Sequence, residues 1–166
     1  MLELMELDEI IGYVDGLDGT LTLRPAPGDG SPEISWGDVF FYYAPDGVVP
    51  QRTQPFATIV TKNYPGDEAS RLDSPGAFRV NMAVGKEVFN AAAPTGDPAE
   101  PDTVIAHPVY GAAAWLAVVN PGPRTENTVR ELLRTAYDRA RQRNRRPTTP
   151  TPRRRGPSLK KTGAAG

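Results

Sequence analysis

Arg79 and Asn81 stand two residues apart in FRVNMAV (78–84), so in an extended strand both side chains leave the same face. Lys62 lies near the end of the run PFATIVTKN (55–63), while His107, Tyr110 and Asn120 flank the apolar segment AAAWLAVVN (112–120). If the strands carrying them are neighbours, these groups make a cationic, hydrogen-bonding patch suited to a small anion or a carboxylate. Tyr42 and Trp115 offer apolar walls for the same ligand. Such a face can equally be a solvated sheet surface whose cross-strand pairs aid solubility.

His107 is the single histidine of the chain, and an imidazole can act as a general base near neutral pH. It needs a nucleophile or an orienting carboxylate, and no sequence spacing supplies one. A His-Pro pair opening a turn is also a common structural device. With no cysteine and one histidine, a metal would have to be held by carboxylates alone. Asp67, Glu68 and Asp73 lack an ordered ligand spacing, and Asp15-Gly-Leu-Asp-Gly19 lacks the later ligands of a calcium loop. Isolated Gly76, Gly85 and Gly111 make no phosphate cradle, and no serine sits in a nucleophile elbow. No metal and no cofactor is therefore expected.

The net charge of −1 conceals a strong asymmetry. Residues 1–123 hold six Lys/Arg against seventeen Asp/Glu, whereas residues 124–166 hold thirteen against three. An acidic body joined to a basic arm follows. Arg145, Arg146, Arg153, Arg154, Arg155, Lys160 and Lys161 can attract nucleic acid, but without interleaved aromatics the contact would be weak, sequence-blind and salt-dependent. A solvated arm folded back on the acidic body is the other outcome. No segment reaches the roughly 20 apolar residues of a membrane span. The opening MLELMELDE is acidic where a secretory signal is basic, so a cytoplasmic protein without membrane contact is expected.

The elements that must position these groups can be read from periodicity. Leu4, Leu7, Ile11 and Val14 predict an amphipathic helix over residues 3–15, closed by glycine. Proline and glycine predict a loop over 24–35. Strands are predicted in 39–43, stopped by Pro-Asp-Gly, and in 55–63, with Phe56, Thr58, Val60 and Lys62 on one face. In the third strand, Phe78, Val80, Met82 and Val84 alternate with Arg79, Asn81 and Ala83, the pattern of a half-buried strand with one polar face. A short helix over 87–93, a loop from 94 to 106 and a strand in 112–120 follow. The last helix is capped by Thr125 or Thr128, with Thr128 and Glu131 spaced as a capping box. Its apolar stripe includes Val129, Leu132, Leu133, Ala136 and Tyr137. Residues 147–166 have no periodicity and read as a disordered basic tail beyond a single domain over 1–146.

The blocks FFYYAPDG (40–47), PFATIVTKNYPGD (55–67), RLDSPGAFRVNMAVGKEVF (71–89), HPVYGAAAWLAVVNP (107–121) and ELLRTAY (131–137) resemble an actinobacterial family of unknown function over residues 3–143. More distantly, the order of elements is similar to the MmcQ/YjbR-like domain. That resemblance implies a double-wing type layout and a DNA-binding label, and it brings no catalytic residue. The expected fold is α+β: a mainly antiparallel sheet of about four to five strands against an N-terminal and a C-terminal helix. The expected function is a non-enzymatic module that binds a small molecule or a protein through its polar sheet face. The alternatives are nonspecific nucleic-acid association through the arm, or an enzyme built around His107.

Overall fold

The computed structural model describes residues 5–145. The chain runs α1 (Leu7–Asp15), β1 (Thr20–Leu23), β2 (Val39–Tyr43), β3 (Ala57–Val60), β4 (Arg79–Ala83), α2 (Lys86–Ala92), β5 (Val104–Ala106), β6 (Trp115–Val119) and α3 (Glu126–Arg145). The fold is α+β, with six strands in the order β1-β2-β3-β4-β6-β5, every neighbour antiparallel. The two strands that no predicted segment covers, β1 and β5, lie at the edges and have only four and three residues. Segments that short carry too little alternation to be read from composition. Arg146 and the expected tail over 147–166 lie outside the described residues, and so does the side chain of Arg145. Among the described residues, no helix is long and apolar enough to cross a membrane.

One face of the sheet carries α1 and α3. Phe41, Ile59, Val80, Met82 and Leu116 point into this core and meet Ile10, Val14, Val129 and Leu133 from the helices, all fully buried. Phe56 joins them, stacked on Phe41 and edge-on to Tyr137. Parity in the 55–63 run predicts Phe56 on the face of Thr58 and Val60. The residue lies ahead of β3, where strand alternation no longer binds it, and its backbone bridges Phe41 and Ala83 instead. Tyr43 also turns to this side, edge-on to Tyr137.

The start of α3 is held from outside the helix. Asp102, with a left-handed φ of 52°, accepts the amide N–H groups of Gly122, Arg124 and Thr125 at 2.8 to 3.0 Å. It also accepts the Thr125 hydroxyl at 2.5 Å. Burial raises the pKa of this carboxyl, but the Thr125 hydroxyl and the amides outweigh it and the net shift is downward. The helix therefore begins at Glu126, and the Thr128–Glu131 capping box does not form there. A carboxylate on the N–H groups of the turn that leads into a helix is favoured by hydrogen bonding and by the positive end of the helix dipole. Asp102→Ala is expected to cost about 2 kcal/mol in urea denaturation, and Thr128→Ala less than about 0.5. Equal losses would return the cap to Thr128.

Candidate functional site

The second face of the sheet is covered by loops, which include short 3-10 turns at 33–35 and 111–113. Val60, Leu72, Ile105, Ala117 and Val119 make a small second core beneath them. This cover changes the character of β4. Its residues 79–82 are buried on both faces, and Arg79 is only 1% exposed. The polar face expected to meet solvent is thus the floor of a cavity of about 820 Å³.

The floor follows from strand register. Phe40 pairs with Thr58, and Thr58 with Asn81, across β2, β3 and β4; Val60 pairs with Arg79 in the adjoining row. Odd–even alternation sends the intervening Ala57, Ile59, Val80 and Met82 to the helix side. Arg79, Asn81, His107, Tyr110 and Trp115 all line the cavity, as do Phe40, Thr58, Tyr64 and Asp67. Lys62 and Tyr42, expected at the same site, are not among its lining residues.

Lys62 is occupied elsewhere. Its Nζ donates to Asp38 Oδ1 at 2.8 Å and to the Trp36 carbonyl at 2.9 Å. Asp38, almost completely buried, also accepts the Thr61 amide and hydroxyl and the Tyr64 phenol. Burial, together with the Asp38 hydrogen bond and charge, raises the pKa of that phenol. Lys62 is therefore part of a clasp joining the loop before β2 to the loop after β3. Tyr42 shares the face of Phe40 but stands one step further along β2 toward the Pro-Asp-Gly turn. Burial raises its pKa too.

Asp67 is the principal cavity residue with no signal of its own in the sequence pattern. It ends the turn Tyr64-Pro65-Gly66-Asp67, closed by the Asp67 N–H on the Tyr64 carbonyl at 2.8 Å, with Gly66 at φ 81°. Proline followed by a positive-φ glycine is the signature of a type II turn. The turn aims the Asp67 carboxylate at Arg79: Nη1 donates to Oδ1 at 3.0 Å and Nη2 to Oδ2 at 2.6 Å. The guanidinium further donates through Nε to Asn81 Oδ1 at 2.8 Å and through Nη1 to Ser70 Oγ at 3.1 Å. Asn81 passes the network on to Thr58 Oγ1 at 2.9 Å. Burial raises the Asp67 pKa, but the hydrogen bonds and charge of Arg79 win and lower it overall.

His107 is fixed by the turn it opens. Its Nδ1 accepts the backbone N–H groups of Val109 and Tyr110, both at 3.0 Å, and its Nε2 lies 3.2 Å from Arg79 Nη2. Burial, then the Arg79 charge, lowers its pKa to about 4 against an opposing pull from Asp67. The imidazole is neutral at pH 7 and a poor base. No carboxylate or hydroxyl bonds to it among the described residues. Its ring stands 4.9 Å from that of Tyr110 and 6.3 Å from that of Trp115, centroid to centroid. Three of the five large hydrophobic side chains exposed among the described residues, Ile34, Val109 and Tyr110, line this same cavity.

Among the described residues, no group of three or more His, Cys, Asp or Glu side chains is placed to hold a metal ion. Asp15 instead accepts the Thr22 hydroxyl at 2.7 Å, tying the end of α1 to β1. Asn120, at φ 42°, donates to the Gly76 carbonyl away from the cavity. In comparison with known proteins, residues 5–149 match a family of unknown function (DUF6194). No curated protein and no solved structure matches the chain.

Proposed function

The chain belongs to the DUF6194 family, and we propose that it binds a small molecule in the cavity above Arg79 and Asn81 without transforming it. The observation that carries this reading is a fully buried, hydrogen-bonded arginine at the floor of a cavity whose rim exposes Ile34, Val109 and Tyr110. Few convergent polar groups within mostly apolar walls is the usual composition of a ligand pocket. An enzymatic reading around His107 has less support, because its Nδ1 is committed to backbone amides and its Nε2 faces a cation. Loose nucleic-acid contact through the basic C-terminal residues is a separate reading carried by charge alone. The MmcQ/YjbR-like element order lends it the wider fold's label and no residue. Cytoplasmic residence suits a chain free of cysteine.

Titration of the ¹⁵N-labelled protein with benzamide, benzoate and indole tests the reading. At least one probe is expected to bind saturably at about millimolar affinity, with amide shifts concentrated at Asp67, His107, Val109, Tyr110 and Trp115. Tyr110→Ala is expected to weaken that binding. Val48→Ala, also at an exposed apolar residue but outside the cavity lining, is not. Shifts scattered over the surface, or indifferent to Tyr110, would remove the proposal.

A further inference from the structure

The protonation of His107 is dictated by its neighbours. Nδ1 accepts two backbone N–H groups at 3.0 Å and so carries no hydrogen. A neutral imidazole with a bare Nδ1 must keep its proton on Nε2. Nε2 lies 3.2 Å from Arg79 Nη2, and a guanidinium nitrogen only donates. Two N–H groups therefore converge at the cavity floor, and neither can satisfy the other. Nη2 spends one hydrogen on Asp67, which leaves its second hydrogen beside that of His107.

Convergent donors call for one acceptor atom, and the local charge says which kind. Asp67 already meets the guanidinium with two hydrogen bonds, at 3.0 and 2.6 Å, and the imidazole is uncharged. A carboxylate ligand would bring a second anion to a site whose cation is paired, and would lose its hydration on entry. An uncharged carbonyl oxygen accepts both N–H groups without that cost. Each Asp67 oxygen retains a further lone pair, and Asp67 lines the cavity beside Arg79. An N–H on the same planar group as the carbonyl would find its acceptor there.

We infer that the cavity takes an uncharged carboxamide or lactam carried on an aromatic ring. The carbonyl oxygen sits between Arg79 Nη2 and His107 Nε2, its N–H faces Asp67, and the ring lies against Tyr110 and Trp115. This deepens the proposed function and rests on it.

Two measurements test it. The first needs no ligand: long-range ¹H–¹⁵N spectra of the single imidazole at neutral pH are expected to show a protonated Nε2 and a bare Nδ1. A protonated Nδ1 would let Nε2 accept directly from Arg79 and would overturn the inference. The second compares benzamide with benzoate. Benzamide is expected to bind at least about tenfold more tightly to the native chain, and Asp67→Asn, which frees the guanidinium charge, to shift the preference toward benzoate. Benzoate binding equally or more tightly in the native protein, with shifts still at the cavity, would overturn the carbonyl inference and leave the small-molecule reading standing. No cavity shifts from any probe would overturn both. If Asp67→Asn does not fold, the two native-protein measurements decide alone.

Discussion

Replacing Arg79 with methionine is expected to lower the stability of the chain by about 3–5 kcal/mol, the range for breaking one partner out of a buried ion pair. Arg79 gives hydrogen bonds to Asn81, Ser70 and both oxygens of Asp67 from a position that is 1% exposed. Methionine fills much of the same volume but leaves the Asp67 carboxylate partly buried with no cation. Asp67→Leu alone should be comparably damaging, since it strands the guanidinium. The double variant should recover most of the loss, because two apolar side chains in place of a buried pair are often neutral. Urea denaturation of the four proteins closes this cycle. Hydrogen exchange in the Arg79 variant should also show early opening of residues 61–72, the loop that the Arg79–Asp67 bridge ties to the sheet. A loss below about 1 kcal/mol would mean that the bridge is solvated and that the floor is not a buried network.

That network was half legible in the sequence, and the missing half has a physical cause. Alternation in FRVNMAV correctly puts Arg79 and Asn81 on one face, because strand geometry is local. The same alternation reads as half-buried, since polar residues on a strand usually meet water. What buries them here is a cover of loops, and loops have no period. Asp67 lies twelve residues before Arg79, in a turn whose proline and glycine are easily seen but whose aim is a tertiary matter. One signal was available: an arginine within an otherwise apolar strand needs an acid if the strand is central. Lys62 and Asp102 show the same limit. Each forms its decisive bonds with a residue more than twenty positions away, Lys62 to Asp38 and Asp102 to Thr125. His107 stands out in the sequence as the sole imidazole, yet its role as acceptor for its own turn is what leaves Nε2 as a donor over the cavity.

Acidification is expected to weaken the fold through His107 between about pH 6.5 and pH 4, by about 3 kcal/mol in total. The sign follows from the two protonation states. In the unfolded chain the imidazole takes a proton near its ordinary value of 6.5, whereas in the native cavity it resists until about pH 4. Across that window the unfolded state binds more protons, so stability falls as the pH is lowered and levels off once both states are charged. The native resistance has two sources. Burial beside the Arg79 guanidinium disfavours the cation, and protonating Nδ1 would displace two backbone N–H donors. Asp67 acts at lower pH: its depressed carboxyl contributes stability above its unfolded value of 3.8, lost as the pH falls through the folded value. His107→Asn isolates the imidazole, because its side-chain oxygen can still accept the Val109 and Tyr110 amides while nothing at residue 107 titrates. Urea midpoints measured from about pH 7.5 to about pH 4.5 should fall more steeply for the native chain than for the variant. Parallel slopes would place the acid sensitivity in other groups and would mean that His107 charges freely in the folded state.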